Sequence, residues 1–453
     1  MTNDMTIGSP MKLLMAFTWP VLAGNVLQVC YMLVDAIIVG KWLGPVALSA
    51  VGSVSAVVFV IIGFVFGLTA GTSVVTAQRF GAKDSRGVRL SVGTGVWVCA
   101  AFTILITILC VLLTDSILRW QNTPPDVFPL ASNYLRASFY GIACIVFFNF
   151  QSATLRALGD SRTPLWFLAG ASILNVGLDI LFIRVFGWGV ASAAWATNLS
   201  IFVSAVACFL CVTRRLPEIQ LRRSDWRPRP MMARKQLVIS IPMGLQFSIT
   251  GFGAMVLQTA INTFGVTLMA GLTAAEKLPA IAVQIPVALG QAMATYSAQN
   301  FGAGKLLRIR EGVRASVIIV TVSCLIVSAV AIFFGRNFIG LFISMTDPSA
   351  GEIITHGQRI LTIAAPFFIP LGWIFVFRNT LQGVGHSILP MIAGGAEMVM
   401  RIGVSTKCVA LFGIQAIYWA DPSAWIGACL ILIPAYLFYA RQWKHDCRPE
   451  EYP

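Results

Sequence analysis

Residues 77–89 read AQRFGAKDSRGVR, and residues 298–310 read AQNFGAGKLLRIR. Each stretch closes a long apolar run and opens a basic turn. A second pair repeats the relation, with TLRALGDSRTP at 154–164 returning as TLQGVGHSILP at 380–390. Pro20, in the first apolar run, has a counterpart in Pro242 at the start of the seventh. Three matches in the same order point to a duplicated unit, the internal symmetry from which many membrane carriers are built.

Outward from these turns the chain is apolar throughout. Of 453 residues, 57% are hydrophobic and 11% charged, a balance unlike that of a soluble enzyme. Crossing a hydrocarbon core takes about 20 residues of helix. Runs of that length are read near 13–39, 46–78, 90–113, 129–158, 164–184 and 189–213. A second set lies near 237–263, 267–300, 312–335, 353–384, 388–410 and 413–441. No short alternating segments of an outer-membrane barrel are evident. The first run is too long for a signal peptide and is expected to persist as a membrane helix. The predicted fold is an all-α polytopic membrane protein, with about twelve transmembrane helices in two pseudo-symmetric six-helix lobes. The lobes are assigned to residues 1–213 and 237–441, with a basic linker at 214–236 and a polar tail at 442–453. An even number of spans per half gives both copies the same orientation, and carriers of this build place substrate between the halves.

The net charge of +14 could suggest nucleic acid, but its placement argues against that partner. Arg79, Lys83, Arg86 and Arg89 share one loop, and Arg156 and Arg162 another. Eight further basic residues fill 214–235, Lys305 to Arg314 supply four more, and Arg441, Lys444 and Arg448 sit in the tail. Alternating spans put all of these on one side. The positive-inside rule therefore predicts both termini in the cytoplasm and the chain in the inner membrane. The ten cysteines show neither CxxC nor Cys/His metal spacing. No Walker loop, nucleophile elbow or HExxH appears, so neither enzymatic hydrolysis nor ATP-driven transport is expected.

Ionisable groups inside a membrane helix are costly and mark function by default. Asp35 lies fifteen residues after Pro20, a residue able to kink the first helix and so act as a hinge. In ILNVGLDI (173–180), Asn175 and Asp179 stand at i and i+4 and share one helix face. Thr197, in the small-residue run GVASAAWATNLS, adds a hydroxyl. Two carboxylates, an amide oxygen and a hydroxyl suit Na⁺, or a carboxyl pair that carries a proton; these four would be metal ligands only in the Na⁺ case. Interhelical hydrogen bonding is the plainer reading of Asn175 and Thr197, and pairing with Arg136 that of the aspartates. In the second half, Glu397 and Arg401 are read at the place of Asn175 and Asp179 and are expected to pair with each other along their helix. Gln246, Glu276 and Lys277 are read as lining a cavity or as structural. Arg359 could snorkel from a helix end.

These residues carry a resemblance. Trp19-Pro20, Asp35 with Gly40 and Leu43-Gly44, the QRFGAK and QNFGAGK turns, LRALGDSRTP and NVGLD together resemble the multidrug and toxic compound extrusion (MATE) transporters over essentially the whole chain. The resemblance implies a cation-coupled exporter of bulky amphipathic or cationic compounds, with its ion site at Asp35, Asn175, Asp179 and Thr197. Some branches carry an essential Glu on the seventh helix, where this chain has Gln246, an amide that cannot titrate. Coupling in the first lobe is therefore expected. A flippase for a lipid-linked saccharide is the alternative on the same architecture, and it needs Arg136, Lys277, Arg378 and Arg401 free to hold a pyrophosphate. Membrane lipid and small substrates are the expected partners, the chain is expected to act as a monomer, and no cofactor beyond Na⁺ or H⁺ is expected.

Overall fold

The computed structural model describes residues 3–121, 123–215, 219–343 and 348–446. Residues 447–453 of the expected tail, including Arg448, and residues 216–218 of the expected linker lie outside the described residues. Among the described residues there is no strand, only helix and short connections. In order these are α1 (Pro10–Leu43), α2 (Pro45–Gly81), α3 (Ser85–Trp120), α4 (Phe128–Tyr140), α5 (Ile142–Ala157), α6 (Arg162–Asp179) and α7 (Ala191–Arg215). They are followed by α8 (Pro230–Asn262), α9 (Val266–Ala282), α10 (Gln284–Gly302), α11 (Leu306–Gly340) and α12 (Ala350–Ala364). The last four are α13 (Phe368–Gly383), α14 (Ile388–Gly403), α15 (Val409–Phe412) and α16 (Ile414–Asp446). Among the described residues eleven helical stretches are long and apolar enough to cross a membrane, and the bent pair α4 and α5, taken as one span, makes a twelfth.

Local sequence explains the punctuation. Gly44 adopts φ +85°, a conformation open to glycine, and Pro45 then starts α2 where a missing N–H costs nothing. Asp84 caps α3 by accepting the Gly87 N–H at 2.7 Å. α4 and α5 meet at Gly141 with a 42° bend. Asn198 of α7 fills the bend, donating from Nδ2 to the Ala137 carbonyl at 2.8 Å. A Cβ on Gly141 would lie 1.7 Å from the Asn198 Oδ1, so only glycine fits without displacing that side chain. The corresponding span of the second half is interrupted at the equivalent point by a 3₁₀ turn, Ala365–Phe367, built around Pro366.

The chain divides into two compact units. Unit 1 holds residues 1–4 and 19–244, and unit 2 holds 5–18 and 245–453. α1 and α8 therefore each begin in one unit and end in the other, which simple division at the basic segment does not anticipate. In unit 1, α2 meets the first half of α8 through small residues. A Cβ on Gly71 would lie 2.4 Å from the Ser240 Cα, and one on Gly67 2.5 Å from Met243 backbone. Residues of α2, α3, α4, α5 and α7, among them Val54, Val65, Leu118, Leu135, Phe139 and Leu155, form its core.

The expected linker is a docked segment of unit 1. Asp225 meets Arg89 at 3.3 Å and accepts the Arg222 N–H at 3.0 Å, the Trp97 indole donates to the Trp226 carbonyl at 2.7 Å, and Gln236 Nε2 donates to the Ser91 carbonyl at 2.8 Å. Burial alone would raise the Asp225 carboxyl, but the Arg222 N–H and the Arg89 guanidinium outweigh it and hold the group below the usual carboxylate range. The segment also becomes helical at Pro230, seven residues before the apolar run that marks it in sequence.

In unit 2 the N-terminal segment is fixed by the second copy of the repeated turn. Met5 N–H donates to Gln299 Oε1 at 2.9 Å, Asn300 Nδ2 donates to the Met5 carbonyl at 3.2 Å, and Lys305 Nζ to the Thr6 carbonyl at 2.9 Å. Leu257, Ile261, Leu268, Leu272, Ile417 and Tyr418 pack in its interior.

Candidate functional site

Asp35, Asn175, Asp179 and Thr197 come together inside unit 1, from α1, α6 and α7. Asn175 and Asp179, one turn apart on α6, are buried, with Asp179 0% exposed. The Asp35 and Asp179 carboxyls are neighbours within direct reach of each other. Asn175 Nδ2 donates to Thr197 Oγ1 at 3.2 Å, and that hydroxyl donates to the Ala193 carbonyl at 3.1 Å. The amide is thereby oriented, with its oxygen left over. Asn175 Oδ1, both oxygens of Asp179 and Asp35 Oδ1 are buried and receive no hydrogen bond from another group. Buried polar atoms are nearly always satisfied. These four acceptors line one buried, oxygen-rich site.

Among the described residues no guanidinium forms an ion pair with Asp35 or Asp179. Arg136, the basic residue available in sequence, lies 2.6 Å from Asp115 instead. Sequence reading missed Tyr134, whose hydroxyl lies within electrostatic reach of both aspartates, and Tyr31, within reach of Asp35. A tyrosine in an apolar run gives no signal of its own. It also missed the π-helix Ile180–Val185 that follows Asp179 directly. Such bulges gather at functional sites. The donor set is of the hard-oxygen type that suits Na⁺. Among the described residues no group of three or more His, Cys, Asp or Glu is placed to hold a metal ion.

Pro20 lies inside α1, which runs through it as one helix. Lacking an N–H, it leaves the Ala16 carbonyl without its helical partner, a built-in weak point about 22 Å from Asp35 along the axis.

The second half differs from its reading in two respects. Glu397 and Arg401 do not pair with each other. Arg378 Nη2 reaches Glu397 Oε1 at 2.7 Å, and Arg401 Nε reaches Asp421 Oδ1 at 2.8 Å. Packed against α13 and α16, each side chain finds a partner on a neighbouring helix, and that competes successfully with the weak i,i+4 contact along its own. The register also shifts by one turn. Asn175 and Arg401 are each the fourteenth residue of their helix, so Arg401 matches Asn175, and Ser405 matches Asp179. Asp421 escaped sequence reading because Asp-Pro resembles a turn, whereas α16 continues through Pro422.

Gln246 is 1% exposed, too buried to line a cavity. Its amide lies 2.7 Å from that of Gln382, and its oxygen, turned to face Arg378, lies 3.2 Å and 3.3 Å from the guanidinium. Glu276 and Lys277 are exposed on α9 and, among the described residues, form no ion pair within 4 Å. Arg359 lies over the Tyr418 ring, 6.0 Å from its centroid, and so is placed by an aromatic face. Of the four cations the flippase alternative calls on, Arg136, Arg378 and Arg401 each meet a carboxylate and Lys277 stands apart on α9, so these contacts lend that alternative no support.

Comparison with known proteins follows the same lines. A family model described as MatE matches residues 20–181 and 242–406, once in each half. The chain is 32% identical over 433 residues to the probable multidrug resistance protein YpnP of Bacillus subtilis (strain 168), covering 94% of this chain and 91% of that protein. It is 24% identical over 414 residues to the multidrug export protein MepA of Staphylococcus aureus (strain NCTC 8325 / PS 47), covering 90% and 89%. Among solved structures, one described as the crystal structure of MATE in the bent conformation matches with a TM-score of 0.89 at 23% identity, over 97% of each chain. The outward-facing conformation of a multidrug resistance MATE family transporter of the MOP superfamily matches with a TM-score of 0.89 at 23% identity, over 97% of this chain and 98% of that one. At these identities the structures speak to the fold.

Proposed function

The chain belongs to the MatE family, the multidrug and toxic compound extrusion transporters that its sequence resembles, and on that premise we propose that it is a secondary antiporter exporting organic cations and other amphipathic drugs in exchange for Na⁺ or H⁺. It is a multi-pass membrane protein and a transporter rather than an enzyme. The observation that carries the antiport reading is the set of orphaned acceptors at Asp35, Asn175 and Asp179. Two adjacent buried carboxylates without a counter-charge repel each other, and a cation or proton relieves that repulsion. The ion therefore has a higher affinity for the arrangement in which Asp35 stands against Asp179. A drug that favours the other arrangement is driven out when the ion binds, since linkage makes the effect reciprocal. Pro20 is where α1 yields between the two. On this reading the chain works as a monomer in the inner membrane, and its arginine-rich loops favour both termini in the cytoplasm.

Export of a cationic dye from proteoliposomes under imposed Na⁺ or pH gradients tests this reading. Asp35→Asn and Asp179→Asn should each abolish gradient-driven export while leaving the protein folded. Undiminished export in both variants would remove the coupling assignment, and the gradient that drives the parent chain identifies the ion.

A further inference from the structure

Unit 1 carries a second polar feature, remote from the arginine-rich loops, at the end where α3 leads into α4 and α6 into α7. A groove of about 450 Å³ opens there between α4 and α7. Its α4 wall is a single stripe, Asn133, Arg136 and Tyr140, all exposed and spaced at i, i+3 and i+7. Its α7 wall begins at Gly189–Ala191, where the Gly189 and Val190 carbonyls accept the Ser192 and Ala193 N–H groups, and continues to Trp195. Tyr140 and Trp195 stack across it, with centroids 6.2 Å apart and planes within 11°. Arg136 uses Nη2 on Asp115, whose other oxygen accepts the Ser132 hydroxyl, and among the described residues Nε and Nη1 of Arg136 bond no other group. Below the groove an exposed apolar stripe runs down α7 through Leu199, Phe202 and Val203 to Phe209 and Leu210.

We propose that this groove holds the phosphodiester headgroup of a membrane glycerophospholipid, with its acyl chains laid along the α7 stripe. A guanidinium with donors to spare favours an anion, and Arg is suited to phosphate by its planar fork. The same charge disfavours the organic cations of the transport reaction. The aromatic pair is of the kind that settles at the membrane–water boundary, where one end of a side chain is wet and the other apolar. A small anion would use the head of this site and have no use for the track beneath it. An amphiphile uses both.

Native mass spectrometry of the detergent-solubilised full chain, titrated with dioleoyl phosphatidylglycerol, tests the assignment. Arg136→Gln should weaken the first bound lipid by about tenfold or more, the scale of one charge-assisted hydrogen bond. Asp115→Asn should bind lipid at least as tightly as the parent, because it frees Arg136 fully. Trp195→Ala should weaken binding through the apolar wall, and thermal unfolding of each variant checks that it is folded. Equal lipid binding by the parent and Arg136→Gln overturns the proposal, and so does equal loss in Arg136→Gln and Asp115→Asn. Displacement of the lipid by inorganic phosphate would reassign the groove to free anions, and displacement by ethidium would reassign it to transported cations.

Discussion

At the scale of single residues, Asn175 illustrates how a neutral side chain is recruited to a charged site. Its amide nitrogen is fixed by Thr197, and its oxygen is left buried without a hydrogen-bond partner. On the proposed reading, Thr197 is mainly a positioning residue. Thr197→Val is predicted to weaken the apparent affinity for the coupling ion severalfold without abolishing export, whereas Asn175→Ala removes an oxygen and should cost more, by about tenfold. Ion titrations of export in proteoliposomes separate the two, and equal effects would argue that the hydroxyl is itself a ligand. Asp225 provides a pH prediction. Its folded pKa lies below the unfolded value of about 3.9, so its contribution is fully present above that pH and is lost as pH falls through the folded value. Hydrogen exchange in residues 222–229 should therefore accelerate below about pH 4 beyond its intrinsic pH dependence, and Asp225→Asn should show the faster exchange already at pH 7. The aspartates and Asn175 were legible in sequence because polar groups stand out in apolar runs. Partner choice was not, since Glu397 and Arg401 look like a pair until α13 and α16 bring Arg378 and Asp421 beside them.

At the scale of elements, breaks in the helices do more than end them. The bend at Gly141 is stabilised by one Asn198 hydrogen bond and permitted by one absent Cβ. Asn198→Ala should destabilise the protein by about 1 kcal/mol, in line with interhelical bonds in membranes. Gly141→Ala should push Asn198 off the same carbonyl, so the double variant should be little worse than Gly141→Ala alone. Additive losses in a thermal or denaturant unfolding cycle would contradict that coupling. Pro20→Ala restores an N–H to the Ala16 carbonyl and stiffens α1. The expected outcome is an unchanged or higher melting temperature with slowed export, and full export would deprive the hinge of its role. Helix number and order could be read from the sequence, because a membrane admits few alternatives to spans of about 20 apolar residues. The π-helices Ile180–Val185 and Val404–Cys408 could not, because one extra residue per turn leaves composition unaltered. Their recurrence in matching helices of the two halves indicates that the duplication extends to backbone irregularities.

At the scale of the whole molecule, the repeats made the two-part organisation visible, yet they did not disclose which segments each part recruits. Apolar pattern alone cannot assign residues 5–18 to unit 2 or 230–244 to unit 1. That assignment depends on small-residue contacts such as Gly71 with Ser240, and on side-chain bonds such as Gln299 with Met5. Orientation follows from charge. A C-terminal fluorescent-protein fusion is expected to fluoresce and a C-terminal alkaline phosphatase fusion to remain inactive, the reverse pattern placing the arginine-rich loops outside.

The shared helices α1 and α8 also set a timetable for biosynthesis. Unit 1 cannot be completed when its own six spans have left the ribosome, because its α2 surface at Gly67 and Gly71 awaits residues 240–244. Residues 5–18 wait longer, until Gln299, Asn300 and Lys305 are made. At about 5–20 residues per second, the first helix spends on the order of 15–60 s in the membrane before its own start is tied down. The earliest-made residues are thus among the last to settle.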